Sequence, residues 1–572
     1  MQTIRLYPLV FSLSLCGIST AQSPSTPSTM LPPLDIPMLL SGNFMELRND
    51  HFHSGLDIKT NGVEGLPVFA VKDGYVSRIK VSPWGYGKAL YLQHPDGTTT
   101  VYGHLQRYST AIADYILDAQ YAAKDFAIDN YPERDRLPVE QGDVIAWSGN
   151  SGGSSGAHLH FELRNADQHA LDPEAHGIDL MDGRPPELKG VRIYPLSSGA
   201  RAMPYPGTAK GFALAKGATS YWLKQDSIAA FGTVGFALHV IDKYNGSDNA
   251  CGPRKIDLYV DDVRAFSVHL DLVDFGVQRY CNAHTDYALL KDQDMHYHRL
   301  YKLPNNKLHL YGDEQLQGRI ATVPGMDQQI RLVATDANGN TSTLSFTLHG
   351  STAEEAGTWP QPSASGVLMK HSEPNKLVAD GVRFDLPGDA LYEDLDFHYA
   401  VKPGPPRSFS KLHALHNKLT PMHVASTLSI LADSLPETLR SKALILRWDE
   451  NGKHAAQGGT WENGWVRTTV KNFGSYCVVV DSIPPKISPI GLKASMTGRS
   501  GFALRVADNL SGVDKWVATL DGNWILMDFD PKSKSLSHAF DKHTNTPGKH
   551  ELKVEVQDER GNKSSYSFTF TR

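Results

Sequence analysis

Two short stretches decide how this chain is read: NDHFHSGLDIKT, Asn49 to Thr60, and SSGAHLHFELR, Ser154 to Arg164. The second alternates like a strand. Side chains two apart on a strand share a face, so His158 and His160 project the same way and Glu162 follows on that face. The first places His53 and Asp57 four residues apart, with Gly55 between them allowing a bend. The chain holds 24 histidines in 572 residues, so about one H-x-H pair arises by chance. There are three: His51/His53, His158/His160 and His296/His298. The spacing alone is therefore weak. The pair His296/His298, in DQDMHYHRLY, reads as a surface hairpin or loop. The other two pairs stand out by their surroundings. Imidazoles plus one carboxylate, with a position left open for water, form the pattern of a catalytic zinc site rather than a closed structural one. His104, in TVYGHL, ends a predicted strand and adds an imidazole.

Around these stretches the chain reads as β-rich. PVFAVKDGYVSRIKV suggests two strands about an Asp73-Gly74 turn, and KALYLQHPDGTTTVYGHL a hairpin turning at Pro95-Asp96-Gly97. DVIAWSG is a further strand. Ser109 to Pro138 is Ala-rich with helical spacing, and reads as a helical insertion into the β-domain, placed to border a groove.

HFHSGLDI, PVFAVKDGYV, GYG before a strand, YGHL, GDVIAWSGNSG and SSGAHLHFELR follow one another as in the lysostaphin-like (LytM-type) zinc metallopeptidases, which this region, about residues 40–180, resembles. The resemblance implies an N-terminal antiparallel β-sheet metallopeptidase domain that cuts peptide cross-links of bacterial peptidoglycan. It implies one Zn2+ per chain on His53, Asp57 and His160, with His104 and His158 as the catalytic imidazoles. His51 has no role in that pattern. Arg48 is a candidate for a substrate carboxylate or for a surface salt bridge. Glu162 is a candidate partner for the ligands or a plain strand residue.

The rest of the chain contains a repeat. GFALHVIDKYNG (Gly235 to Gly246) matches GFALRVADNLSG (Gly501 to Gly512). VATDANGNTSTLSFTL (Val333 to Leu348) matches VEVQDERGNKSSYSFTF (Val554 to Phe570). Both closing strands follow a D-x-x-G-N turn. Two copies of one β-sandwich unit are expected. The organisation is then a mainly β chain with about three immunoglobulin-like sandwich modules after the first domain: signal peptide 1–21, linker 22–37, peptidase domain 38–182 with its insertion at 109–138, a β-sandwich module with an insertion at 185–350, a β-rich module of no clear type at 366–481, and an immunoglobulin-like sandwich at 487–572. The first module carries an insertion with Cys251 and Cys281, which could pair in an oxidising compartment.

Bulk properties agree with an exported protein. Leu6 to Ile18 is apolar after one Arg, and Ser19-Thr20-Ala21 offers small residues for cleavage, as in a secretory signal. Leu15 before Cys16 is not the small residue that lipid attachment favours. No other apolar run approaches the ~20 residues of a membrane span. The net charge of -6 argues against a nucleic-acid binder. Periplasm, cell surface or medium are the compartments expected. Two other functions stay open on the residues: a catalytically degenerate regulator of wall hydrolases, and a surface binding or adhesion protein carrying the peptidase domain as a passenger, with a surface or protein ligand for the C-terminal modules.

Overall fold

The computed structural model describes residues 30–203, 210–312, 316–359, 365–432, 434–449 and 451–572. The signal-peptide segment and Cys16 lie outside them. The chain is mainly β, and among the described residues no helix is long and apolar enough to cross a membrane.

The N-terminal domain is built from β1 (Leu40–Gly42), β2 (Leu56–Lys59), β3 (Pro67–Phe69), β4 (Gly74–Val81), β5 (Lys88–Gln93), β6 (Thr99–Gly103), β7 (Arg107–Tyr108), α1 (Thr110–Ala123), β8 (Ile128–Asn130), β9 (Pro138–Val139), β10 (Val144–Trp147) and β11 (His158–Arg164). Its main sheet runs β1-β2-β11-β6-β5-β4-β8, all antiparallel, and β3-β10-β7 form a second, smaller sheet. Alternation sets which side is buried: Leu159, Phe161 and Leu163 of β11 face the core, leaving His158, His160 and Glu162 on the other face. Residues 30–37 lie against this domain, with Leu34 fully buried and Leu31 N–H donating to the Val71 carbonyl.

The insertion is helical only over α1. Its remainder returns as β8 and β9, both paired to β4. It does not border the histidine cleft, as the sequence suggested; no residue of 109–138 lines that cleft. Instead α1 docks on the C-terminal sandwich. Tyr121 donates to Asp541 at 2.7 Å and stacks on His543, and Phe126 meets Trp516.

The repeat is visible in the strand pairing. Glu187–Pro195 pairs with Thr233–Ile241 as Lys486–Ile490 pairs with Gly501–Ala507. Lys255–Val260 pairs with Asp327–Thr335 as Val513–Leu520 pairs with Lys549–Asp558. The final hairpins, Asp327–Thr335 with Thr341–Gly350 and Lys549–Asp558 with Lys563–Thr571, also correspond. Between the two copies, two five-stranded sheets enclose a core around Phe384, Phe397 and Phe473. Cys251 and Cys281 are both buried free thiols, so the structure does not contain the disulfide. His298 is also not at the surface. It is 1% exposed, and its ring meets that of buried His284 at 2.9 Å, because its strand, Tyr297–Arg299, pairs along Thr233–Ile241.

One hydrophobic core runs without a break from the N-terminal domain into the first sandwich, whereas the middle and last units have cores of their own. Ala170–Leu171 even pairs with Leu272–Val273 of the sandwich. A fragment ending at 182 therefore leaves apolar core surface in water. We expect residues 30–182 to melt at least ~5 °C below residues 30–359 in differential scanning fluorimetry, or to aggregate; equal melting temperatures would show that the shared core contributes little.

Candidate active site

Register brings the sequence candidates together. On the sheet, His160 of β11 stands opposite Asp57 of β2 on one side and Gly103 of β6 on the other, and His104 follows β6 directly. His53 comes from the loop before β2. That loop crosses β11 so closely that a Cβ on Gly55 would lie 2.2 Å from the Phe161 carbonyl oxygen, which is why glycine stands there. His104 holds a left-handed backbone, φ 57°, which costs a non-glycine residue on the order of 1 kcal/mol.

Three atoms converge: His53 Nε2, Asp57 Oδ1 and His160 Nδ1, separated by 3.0, 3.1 and 2.9 Å. Their partners fix what these atoms can do. His53 Nδ1 donates to the Asn43 carbonyl at 2.7 Å, so its Nε2 is a bare lone pair when the ring is neutral. His160 Nε2 donates to Glu162 Oε1 at 2.9 Å, which turns Nδ1 inward. Asp57 Oδ1 is an acceptor. Asp57 Oδ2 receives Arg48 Nη2 at 2.9 Å, and Arg48 also pairs with Glu46. Arg48 thus lies in a salt-bridge pair with Glu46 and Asp57 at the edge of the cleft and holds the Asp57 carboxylate in place.

Electrostatics follow from burial. Desolvation lowers His53. Burial would also depress His160, but its bonds to Asp57 and Glu162 outweigh it and hold the ring at about 9. Burial would raise Asp57, yet His53, His158 and His160 hold it well below the usual carboxylate range. Glu162, fully buried, is kept at about 2 against desolvation by Arg164 and His160, with Ser54 donating at 2.6 Å and Tyr86 hydrogen-bonded to the same oxygen. The proton on His160 occupies the place of a cation. Two imidazoles and a carboxylate, with donor atoms close to the ~3.3 Å edge of a tetrahedron of ~2.0 Å bonds, fit a zinc-type metal.

Two more imidazoles face the same space. His158 Nδ1 lies 2.9 Å from the Gly156 carbonyl and donates there, leaving Nε2 3.4 Å from Asp57 Oδ1. His104 Nδ1 donates to the Ser151 carbonyl at 2.8 Å, and its ring centroid is 4.8 Å from that of His158. Burial, with His160 and His158 nearby, pushes His104 down to about 3, so it is neutral in ordinary conditions. The cleft, about 810 Å³, is lined also by His51, Tyr86, and by Asn249, Phe275 and Gln278 of the first sandwich. These last three carried no sequence signal because only the tertiary fold brings them here, and Tyr86, the centre of the GYG motif, stacks on His160.

Residues 51–124 match the family model described as Peptidase family M23. The N-terminal domain is a lysostaphin-like M23 peptidase domain. The family match spans His53, Asp57 and His104 and ends before His158 and His160. DD-carboxypeptidase/endopeptidase Mpg of Neisseria meningitidis is 31% identical over 112 residues, 20% of this chain and 20% of the relative. Lysostaphin of Staphylococcus simulans is 30% identical over 115 residues, 20% of this chain and 18% of the relative. The chain thus spans about a fifth of the length of the curated relatives it matches. Among solved structures, the catalytic domain of lysostaphin from Staphylococcus simulans is similar at 25% identity, covering 23% of this chain and 86% of that chain, with a TM-score of 0.17. Residues 366–481 match a Zu5-like domain.

If Glu162 sets the tautomer of His160 in this M23 domain, Glu162→Gln should weaken metal binding roughly 10- to 100-fold while the protein stays folded. Competition against a chromogenic chelator measures this, and an unchanged affinity would remove Glu162 from the metal site.

Proposed function

We propose that this protein is an exported zinc metalloendopeptidase that hydrolyses peptide cross-links of bacterial peptidoglycan. The observation that carries the reading is the inward convergence of His53 Nε2, Asp57 Oδ1 and His160 Nδ1, beside two further imidazoles in one open cleft. The M23 match and the names of the relatives, lysostaphin and a DD-carboxypeptidase/endopeptidase, support the substrate class. The N-terminal apolar run followed by small residues supports export.

In this reading His53, Asp57 and His160 hold the ion. Zinc there supplies a water of pKa near ~7 and a Lewis acid for the scissile carbonyl. The chain supplies the rest. Arg48 and the Asn43 carbonyl keep Asp57 and His53 in place. His158 presents a bare Nε2 next to Asp57 Oδ1 and accepts the proton of the attacking water. His104, neutral and fixed through Ser151, turns its Nε2 to the same cleft, where it accepts a hydrogen bond that orients the peptide, while the proton taken up by His158 passes on to the leaving amine. The degenerate-regulator alternative needs a lost ligand, and all five residues are in place.

Zinc content and release of wall peptides should be measured together. Wild type should carry one zinc and release peptides. His160→Ala should lose both. His158→Ala should keep zinc yet lose about 10²- to 10⁴-fold in hydrolysis. A wild type without zinc at neutral pH, or a fully active His158→Ala, would overturn the assignment.

A further inference from the structure

The repeat carries a second constellation, away from the cleft. In each copy three aspartates meet where the chain enters the sandwich: Asp182, Asp242 and Asp336 in the first, Asp481, Asp508 and Asp558 in the second, each trio with oxygens within 4.8 Å. The positions are equivalent. Asp182 and Asp481 each begin a D-x-x-P-P entry segment; Asp242 and Asp508 end the matched GFAL strands; Asp336 and Asp558 open the D-x-x-G-N turns.

The supporting bonds also repeat. Asn340 N–H and Nδ2 donate to the two oxygens of Asp336, both at 2.8 Å, and Nδ2 reaches the Asp182 carbonyl at 3.4 Å. Asn562 does the same for Asp558, at 2.8 and 2.6 Å, and reaches the Asp481 carbonyl at 3.0 Å. Asn245 N–H donates to Asp182, and Ser511 N–H to Asp481.

One side chain is short of donors. Asp242 is 1% exposed, and among the described residues neither of its oxygens has a well-formed hydrogen bond, the Lys243 backbone N–H giving it only partial relief. One oxygen each of Asp182, Glu174 and Asp508 is in the same condition. The nearby Arg184 is spent on the carbonyls of Tyr244 and Ser247 and on Asp248. A buried carboxylate short of donors, packed against two others, is costly unless a proton or a cation joins it. Burial and Asp336 push Asp242 up to about 8, the mark of a site short of positive charge. The donors are all oxygens, which suits a hard ion and excludes a thiolate- or imidazole-seeking one.

We propose that the two aspartate trios are calcium sites, which fix each sandwich to the segment that enters it. At the first, calcium would tie Asp182, on the stretch leaving the peptidase domain, to two turns of the sandwich whose Asn249, Phe275 and Gln278 wall the cleft. The ion then holds the cleft wall without touching substrate.

The test is isothermal titration of the calcium-depleted, zinc-retaining full chain with CaCl2. Two sites per chain are expected, one per trio. Asp242→Asn, nearly isosteric, should leave one, and Asp508→Asn should leave the other. Calcium should also raise the melting temperature of wild type, and less so that of either variant. Absence of saturable binding up to millimolar calcium would overturn the proposal, as would unchanged stoichiometry in both variants. Should Asp242→Asn fail to fold, the wild-type stoichiometry and Asp508→Asn still decide.

Discussion

Two imidazole nitrogens and one carboxylate oxygen aimed at one point, with only the His160 proton between them, are the constraint on which the N-terminal domain turns. Such an arrangement repels itself unless a cation lies between, and it survives only because each group is held from behind. Asn43 holds His53, Glu162 holds His160, and Arg48 holds Asp57. Glu162 is in turn anchored by Arg164, Ser54 and Tyr86. The β2-β11-β6 register is equally binding: a slip of one residue would turn His158, His160 and Glu162 into the core and put Leu159 and Phe161 into the cleft.

The supports extend beyond the domain. The Asn43 side chain exchanges two hydrogen bonds with Gly252 of the first sandwich, at 2.9 and 2.8 Å, so the carbonyl that orients His53 belongs to a residue clamped by its neighbour. The last sandwich reaches back to the same region. Lys532 Nζ donates to the carbonyls of Asn150 and Ser154 in the loop that leads to His158, and Lys88 pairs with Asp528. Residues of the first and last sandwiches thus line or brace the cleft of the N-terminal domain.

Much of this was legible in the sequence for a local reason. A strand period of two places His158 and His160 on one face, and H-x-x-x-D around Gly55 is a single loop, so the cluster could be seen locally, while the choice of His53, Asp57 and His160 as metal-holding residues came from the family resemblance. The D-x-x-G-N turns gave the sandwich repeat in the same way. What escaped depends on contacts between residues far apart. α1 has an ordinary helical pattern, and only Tyr121 against Asp541, 420 residues on, shows where it docks. His298 looked like a surface residue because nothing local marks a strand that pairs into the sandwich core. Arg48 stood between a substrate carboxylate and a salt bridge, and the fold shows its partners as Glu46 and Asp57. The aspartate trios were present in the repeat as ordinary turn residues, and became a group only when the two joints could be laid side by side.

The central claim is most directly tested by anomalous diffraction at the zinc edge from crystals of the zinc-loaded protein. The account predicts one strong peak bonded to His53 Nε2, Asp57 Oδ1 and His160 Nδ1, with His104 and His158 beside it but unbound. A peak elsewhere, or ligation through the outward nitrogens of these histidines, would contradict it.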